Sequence, residues 1–590
     1  MSAASPDTGA RDTRTSNNGP KLTVAAPHSP MLLRDMIEKA DATVGRLKTA
    51  RVEEFAHWRE CAEWIDPRRG EWLWTEKKDR GKLHGRIIDN VAFHASKVGA
   101  ANMQSGLTSR SRAWFRLATS NLSLNKDPEA KKWLREVETI LIEIFDRSNF
   151  YETTRTNYRE LFNFGQGAFS IVPDFDNVIR CRQHTIGSYY LGISSKGEVD
   201  TFSEEFVLTI GQMLERYDLE KMSRSAQQAV REKKYEATVK IRRLIEPNRG
   251  SLYKPGTPGW QGADFRVIEW DPADNMKMPL ALEPEYEFPT IVPRWETMSD
   301  HAYAATWPGA EALGDVKQYQ SDLIEFARSI QQNSNPATIG DPALKGQMGR
   351  ELRPGERLFA TELQGQQALR RAIEFNPLIN EQLANLQRQE RKIQDRYHYD
   401  VFQAISRIEG GNMRVVEIDA RVREQMSQLG PIVEGLAEQQ NDPAIFRTYR
   451  IAERAGIIPE PPENLVGVPI KVDYISILAQ SQKSANIDKL DRYFIAATNV
   501  QQVDPYARHR FNGDAWMKEQ AEQLGVPPAV VRSDKDYDEL VAQDIQAQQQ
   551  AAAQQAAVDG AKAARDASQA SLEGDTALTA GLDAYRGAQQ

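Results

Sequence analysis

Residues 288–340 of the chain read FPTIVPRWETMSDHAYAATWPGAEALGDVKQYQSDLIEFARSIQQNSNPATIG, and the pattern changes in the middle. Residues 290–292 lie between two prolines, which confine a predicted strand to a short or edge position. From Pro308 to about Asn333, apolar residues recur at steps of three and four, which predicts an amphipathic helix with proline in its first turn. The stretch therefore predicts a short strand, an aromatic loop and a long helix.

A second long helix is predicted from Pro377 to about Ile408. Its apolar residues recur mostly at steps of three and four: Ile379, Leu383, Leu386, Ile393, Tyr397, Val401, Ile405 and Ile408. Glycine and proline punctuate the β-type residues 336–376 between the two helices. Both helices have a narrow apolar stripe and a polar surface rich in glutamine and arginine, which suits packing between subunits better than burial in a monomer core.

The rest of the chain alternates helical and strand patterns. Helices are predicted over residues 31–65, 133–145 and 210–217, and strands over residues 168–172, 239–249 and 265–270, with a β-hairpin over residues 189–202. The proline-rich residues 271–293 are expected to link the last of these strands to the opening stretch. The sequence therefore predicts a mixed α+β fold.

Composition limits the classes of function. The chain has 590 residues, 40% of them hydrophobic, enough for a sizeable core. No apolar run approaches the roughly 18 residues of a membrane-spanning helix, and the polar residues 1–30 predict a disordered tail without a signal peptide. The two cysteines, Cys61 and Cys181, are too few for a disulfide framework and are interpreted as small buried residues.

The formal net charge of −8 argues against tight binding of nucleic acid through its phosphates. It is compatible with a conduit, because a neutral or acidic wall does not hold DNA. A basic segment at residues 68–86 carries interleaved tryptophans, which leaves open a DNA-binding or DNA-processing function with salt-sensitive duplex binding.

Catalytic motifs do not stand out. The sequence contains no phosphate-binding glycine-rich loop ending in Lys-Ser/Thr, no His-Glu-x-x-His, no Gly-x-Ser-x-Gly and no Cys-x-x-Cys. The eight histidines are scattered, and none pairs with another at metal-ligand spacing on one helix. We expect no catalytic residues, no metal and no cofactor, although an enzyme of unknown chemistry stays open as a third hypothesis.

Several segments resemble one known family. Pro293-Arg294-Trp295, the Trp307-Pro308 pair and the helix opening Leu313-Gly314-Asp315-Val316-Lys317 resemble the portal proteins, or head-to-tail connectors, of short-tailed tailed bacteriophages. Residues 103–118, where a helix ends in Leu-Thr-Ser before a Trp-Phe strand, resemble the same family. The resemblance covers roughly residues 31–480 and rests on the order of at least six separate segments.

The resemblance implies a portal fold with an α/β wing, a two-helix stem, a small β-containing clip and a helical crown. By residue number, these expectations are a disordered tail at 1–30, the wing at 31–308 and 415–476, stem helices at 309–335 and 377–408, the clip at 336–376, a tunnel loop at 409–414, the crown at 477–540 and a Gln/Ala-rich, helical tail at 541–590. A loop at this place in the chain projects into the tunnel of the family's rings. The resemblance thus implies that DNA is faced by Arg407, Gly410, Gly411, Asn412, Met413 and Arg414.

The implied function is structural. Portal subunits form a ring, dodecameric in assembled particles, at one capsid vertex, through which double-stranded DNA is packaged and ejected. The implied partners are further copies of the chain, that DNA, the terminase, tail adaptor proteins, the major capsid and scaffolding proteins, and internal core or ejection proteins. The implied location is the virion, with host cytoplasm during assembly and no membrane.

Overall fold

The computed structural model describes most of residues 30–474 and part of the chain beyond. The gaps before 474 are 70–72, 74–84, 112, 122–123, 250–252, 255–256, 258–260, 276–277, 299–300, 335–337, 341–368, 372–377 and 401–428. Beyond 474, residues 493–495, 513, 516–517, 534–570 and 587 are described. The chain divides into two compact units, Met1–Gln482 and Lys483–Gln590.

Helices supply much of the first unit. They are α1 (Pro30–Ala50), α2 (Val52–Trp64), α3 (Val91–Leu107), α4 (Pro128–Arg147), α5 (Phe150–Phe164), α6 (Ile210–Arg216), α7 (Arg224–Arg231), α8 (Pro308–Ser334), α9 (Ile379–Arg396) and α10 (Asp442–Arg454). Helical residues 429–436 continue through a π-helical turn, Ala437–Asn441, into α10. The predicted long helix after Pro308 is confirmed, and it ends one residue beyond the predicted Asn333.

The largest sheet is antiparallel and has five strands in the order β4-β5-β6-β7-β8. Its strands are β4 (Tyr189–Ile193), β5 (Val199–Thr209), β6 (Thr238–Pro247), β7 (Phe265–Trp270) and β8 (Pro279–Glu285). Strand β8 lies within the stretch that the sequence assigned to a linker, so that assignment is wrong there. Prolines at the first and sixth positions of β8 are tolerated because it is an edge strand, where missing N–H groups break no ladder on the open side.

Smaller antiparallel sheets complete the unit. Strands β2 (Ala168–Asp174), β3 (Val178–His184) and β9 (Thr290–Ile291) form a sheet in the order β3-β2-β9. Strand β1 (Phe115–Thr119) pairs with β12 (Ile470–Tyr474), which joins the late part of the unit to its early part. The two-residue β9 is an edge strand, as its flanking prolines predicted. The expected mixed α+β fold is confirmed.

Helices α8 and α9 flank a small β element. Between them, β10 (Thr338–Gly340) pairs antiparallel with β11 (Leu369–Arg371), and the other residues of the predicted clip fall almost entirely outside the described part of the chain. The predicted helix 377–408 is not continuous, because Tyr397 and His398 form a turn before helix resumes at residues 399–400. His398 adopts a left-handed backbone conformation with a φ of 51°.

Four clusters of buried side chains form the cores. The largest gathers α2, α3, α5, α8 and α9 around residues such as Phe162 and Trp307. A second packs α4 and α10 against β1, β2, β3 and β12. Helix α1 covers one face of the five-stranded sheet, and α6 with α7 covers part of the other. Both cysteines are buried in these cores, as the sequence predicted.

Ion pairs cross both faces of the five-stranded sheet. On one face, Arg243 bonds to Glu204 at 2.8 Å and to Glu269 at 2.6 Å, and all three are buried or nearly so. On the other face, Glu205 accepts bonds from Lys48 at 2.6 Å and Arg242 at 2.8 Å. Burial by itself raises the pKa of Glu205, but these two cations outweigh it and lower the pKa to about 2. The paired charges make register slippage costly, because a slipped strand would leave buried charges unpaired.

The second unit contains α11 (Asp534–Ala570), a helix of 37 residues that is rich in glutamine and alanine. The prediction of a helical segment beyond residue 541 is confirmed as far as residue 570. Most of the predicted crown, 477–540, falls outside the described residues, as do residues 1–29. Among the residues that the structure describes, no helix is both long and apolar enough to cross a membrane.

Arg447 ties the late helix α10 to two sheets at once. Its buried guanidinium donates to the Ile171 carbonyl in β2 at 2.9 Å and to Glu285 in β8 at 2.9 Å. It also donates to the Glu287 carbonyl at 3.1 Å. Removing it would leave these acceptors without their donor in a water-poor site, so the cost exceeds that of one lost hydrogen bond.

We predict that Arg447→Met lowers the free energy of unfolding by about 3–5 kcal/mol, because it breaks a buried charge pair. The matched control is Arg450→Met on the same helix, which removes an exposed pair with Glu453 and should cost less than about 0.5 kcal/mol. Denaturant unfolding of both variants measures the difference. Equal costs would contradict the role assigned to Arg447.

Candidate functional site: the helix pair and its root

Helices α8 and α9 run antiparallel and are joined by polar contacts. Lys392 bonds to Asp315 at 2.6 Å, and Gln389 bonds to Asp322 at 2.7 Å. From Asp315 to Asp322 the chain advances along α8, whereas the partner residues step back along α9 from Lys392 to Gln389, so the two helices run in opposite directions. Leu386 and Ile393 are the buried residues of α9, which leaves most of that helix polar and accessible. A pair with so narrow an apolar seam has further surface available for neighbours.

Helix α8 starts in contact with the end of α5, and we call this region the root. The indole N–H of Trp307 donates to the buried carbonyl of Asn163 at 3.0 Å. A Cβ added to Gly309 would lie 2.7 Å from the same carbonyl oxygen. Gly165 has a φ of 80°, and a Cβ there would lie 2.7 Å from the Trp307 ring. Only glycine fits these two approaches, which fixes the direction in which α8 leaves the core.

Further up α8, a buried glutamine bonds to the segment before α3. The Gln320 side-chain oxygen accepts from the N–H groups of Ile88 at 2.8 Å and Asp89 at 3.1 Å, and its amide donates to the Asp89 carbonyl at 2.7 Å. Nearby, Lys317 bonds to Glu60 of α2 at 2.9 Å. These contacts anchor about half the length of α8 before it extends beyond the core.

The turn after α9 brings an aromatic residue back into the root. Tyr397 is buried, and its ring stacks on Phe162 with centroids 6.3 Å apart. Burial raises the pKa of Tyr397 well above its ordinary value. Its hydroxyl has no hydrogen-bond partner among the described residues. Tyr397 therefore packs into the core where α9 ends, and His398 beyond it adopts the left-handed conformation that interrupts the helix.

Two carboxyl groups are buried in the root with too few partners. Asp66 bonds to Arg159 at 2.7 Å and to the Asn163 amide at 3.2 Å. Glu160 bonds to the Arg69 side chain at 3.4 Å and also accepts from the backbone N–H of Ile186. One oxygen of each carboxyl lacks a hydrogen-bond partner in the described part of the chain. Burial raises the pKa of Glu160 to about 8, although Arg69 opposes the shift. Glu160 is therefore largely protonated at neutral pH.

The six residues of the predicted tunnel loop, Arg407, Gly410, Gly411, Asn412, Met413 and Arg414, lie outside the described residues. The basic segment 68–86 is described in part. There, Arg86 bonds to Glu63 at 3.0 Å, and Leu73 is buried and accepts bonds from Arg59 through its carbonyl. Of its described basic side chains, Arg69 lies beside Glu160 and Arg86 beside Glu63, while Arg68 is exposed.

The structure also brings together a serine, a histidine and a glutamate that sequence analysis did not single out. Ser170 Oγ lies 2.7 Å from His184 Nε2, and His184 Nδ1 lies 2.7 Å from Glu204 Oε2. The order matches that of a hydrolytic triad. Here, however, Thr290 also bonds to the Ser170 hydroxyl at 2.8 Å, and all of these side chains are buried, so no substrate reaches the hydroxyl. The relay joins the two larger sheets.

No motif in the sequence signals this relay. Its members are 14 and 20 residues apart and come from strands β2, β3 and β5, so the pairing of β2 with β3 and the packing of one sheet against another bring them together. Strand patterns predict pairing partners poorly, since register depends on tertiary burial. Asp66, just after α2, and Glu160, on α5, are likewise far apart in the chain, so no local pattern signals their meeting.

We predict that Gly165→Ala lowers the free energy of unfolding by roughly 2–4 kcal/mol, from left-handed strain and the clash with Trp307. Gly314→Ala on α8 is the control, because a Cβ there meets nothing within 4 Å. That control should stabilise the helix by about 0.5–1 kcal/mol. Denaturant unfolding measures both, and a neutral Gly165→Ala would disprove the tight root.

A pH series tests the protonated carboxyl. A carboxyl whose pKa is raised from 4.5 to about 8 favours folding fully below pH 4.5, and this contribution is lost as the pH rises towards 8. We predict that wild-type stability falls by up to roughly 4 kcal/mol between pH 5 and 8 from this group, and that Glu160→Gln removes the loss. Glu152→Gln, an exposed position on α5, should leave the pH profile unchanged.

Sequence comparison relates the chain to known phage proteins. Residues 38–531 match the family model described as bacteriophage head to tail connecting protein. The chain is 30% identical over 550 residues to the portal protein of Salmonella phage epsilon15, covering 93% of this chain and 98% of that protein. It is 29% identical over 545 residues to the probable portal protein of Bordetella phage BPP-1, covering 92% and 97% respectively. The chain therefore belongs to the family of bacteriophage head-to-tail connecting proteins.

Proposed function

We propose that this chain is the portal subunit of a phage particle, and that about twelve copies form a closed ring at one capsid vertex. The observation that carries the proposal is the antiparallel pair α8–α9, fixed at its root and mostly polar outside, in a chain whose family joins phage heads to tails. In the ring, double-stranded DNA passes along the axis, inward during packaging and outward at infection.

The proposed parts follow the predicted ranges. The wing comprises 31–308 and 415–476, the stem 309–335 and 377–408, the clip 336–376 and the crown 477–540. The terminase docks at the clip during packaging, and tail adaptor proteins later replace it. Major capsid and scaffolding proteins surround the ring, and internal core or ejection proteins contact it from inside. The subunit assembles in host cytoplasm and remains in the virion.

Stiffness and low affinity for DNA are the physical requirements of this function. The root contacts and the ion pairs across the five-stranded sheet supply stiffness, because breaking any of these contacts would leave buried polar groups unpaired. A net charge of −8 favours weak contact with phosphates. The role is structural, with conduction of DNA rather than chemistry as its outcome.

Binding of DNA by the basic segment 68–86 is the weaker alternative. Of the described cations in this segment, Arg86 pairs with Glu63 and Arg69 lies half-buried beside Glu160, which leaves Arg68 as the exposed cation with no acidic partner among the described residues. A DNA-processing function would also need accessible chemistry, and the Ser170 relay is buried. The family match favours the portal function further.

We predict that deleting residues 410–414 leaves ring assembly intact but impairs packaging or retention of DNA, because the tunnel loop would no longer reach the duplex. Ring assembly is checked by native mass spectrometry, and packaging by the yield of DNA-filled heads. A matched variant replaces the five residues by glycine and serine, which keeps the length and removes the side chains. Normal packaging by both variants would contradict the tunnel-loop assignment.

A further inference from the structure

One phenylalanine of the described chain stands fully in solvent. Phe175 is 101% exposed at the turn between β2 and β3, within the sequence Asp174-Phe175-Asp176-Asn177. Exposed aromatic residues at a rigid tip are characteristic of anchors in protein interfaces. The flanking carboxylates keep the tip soluble before it docks.

The turn that carries Phe175 is constrained. Val178 has a φ of 67°, which is a rare conformation for a β-branched residue. The N–H of Ile179 donates to the Asn177 carbonyl at 2.7 Å, two residues back, which closes a γ-turn around Val178. The Asn177 amide donates to Asp174 at 3.2 Å across the tip. Strain of this kind persists at sites where a fixed geometry serves a function.

An apolar pocket lies elsewhere on the first unit. Its volume is about 450 Å³, and α4, α10 and residues 461–470 line it. Its apolar lining includes Trp133, Leu134, Phe446, Tyr449, Leu465 and Val466. Phe446 is 40% and Val466 is 67% exposed, a large exposure for apolar side chains. A pocket of this size accommodates a phenylalanine ring, since ligand pockets start near about 300 Å³.

The pocket and the Phe175 hairpin lie on different faces of α10. Arg447 points to the sheet that carries the hairpin, because it donates to the Ile171 carbonyl of β2. Residues advance by about 100° each around a helix, so the residues of α10 that line the pocket, Phe446, Tyr449, Arg450 and Glu453, lie about 60–160° from Arg447, all in the same direction. A copy of the chain therefore presents a projection and a cavity on different faces.

We propose that Phe175 of one copy inserts into this pocket of the next copy. A projection and a cavity on different surfaces of one chain produce a head-to-tail contact, which closes into a ring when the rotation between copies allows it. The inference rests on the proposed ring and names the wing contact that would close it. Arg450 lines the pocket and is 54% exposed; it pairs there with Glu453, and because an exposed pair of this kind is weak, Asp174 and Asp176 of the inserted tip compete with Glu453 for the cation.

Cysteine cross-linking of the full chain tests the contact. The double variant Phe175→Cys, Val466→Cys is assembled, oxidised mildly and separated on a denaturing gel without reductant. A disulfide needs Cβ atoms roughly 3.5–4.5 Å apart, so only apposed positions link. The two native cysteines are buried and contribute little background. The control pair is Phe175→Cys with Val207→Cys, a comparably exposed apolar position on β5.

We expect the first pair to give a ladder of linked multimers, and either single variant or the control pair to give none. If rings form but the first pair gives no ladder, or if the control pair gives an equal ladder, the proposed contact is overturned. The portal function is not affected by either result. A wild-type chain that forms no ring would overturn the proposed function, and this contact with it.

A second variant series avoids dependence on cross-linking. Phe175→Asp should raise the concentration needed for half-maximal ring assembly by roughly tenfold or more, whereas Phe175→Leu should retain most of the assembly. Because Phe175 makes no core contact, neither change should unfold the chain, and circular dichroism checks this. Unchanged assembly of Phe175→Asp would show that the tip faces something other than a neighbouring copy.

Discussion

The direction of helix α8 depends on the contact between Trp307 and the end of α5. The indole donates to the Asn163 carbonyl at 3.0 Å where water is excluded, and glycine at 165 and 309 allows the backbone to approach that closely. The contacts of α8 with α9 depend on the angle at which α8 leaves the root, because a change of that angle would displace the C-terminal end of α8 the most. The proposed ring of such helices needs this joint to be rigid.

The ion pairs of the sheets and the ion pairs of helices α8 and α9 differ in how much they are exposed to solvent. In the sheets, carboxylates and guanidiniums are buried and paired, as in the contacts of Arg243 and Arg447. On α8 and α9, the pairs between Lys392 and Asp315 or between Arg328 and Glu325 are exposed and therefore weak. Buried pairs hold a single register, whereas exposed pairs keep a surface polar and adaptable. The first suits the proposed wing and the second suits the proposed stem.

Local patterns explain why much of the fold could be predicted from the sequence. Helix α8 follows from its apolar periodicity and Pro308, and the two-residue strand β9 follows from its flanking prolines. Strand β8 was missed because its prolines indicate a linker unless its position at the sheet edge is known. The turn after α9 was missed because Tyr397 continues the apolar period, and nothing in the sequence signals the left-handed conformation of His398. The Glu160 site and the Ser170 relay likewise depend on segments far apart in the chain.

The most direct test of the account is native mass spectrometry of the purified full chain, with electron-microscopic class averages of the same sample. The account predicts one dominant closed ring of about twelve copies with an axial hole. A chain that stays monomeric or dimeric at every concentration, with no annular particles in the images, would contradict it.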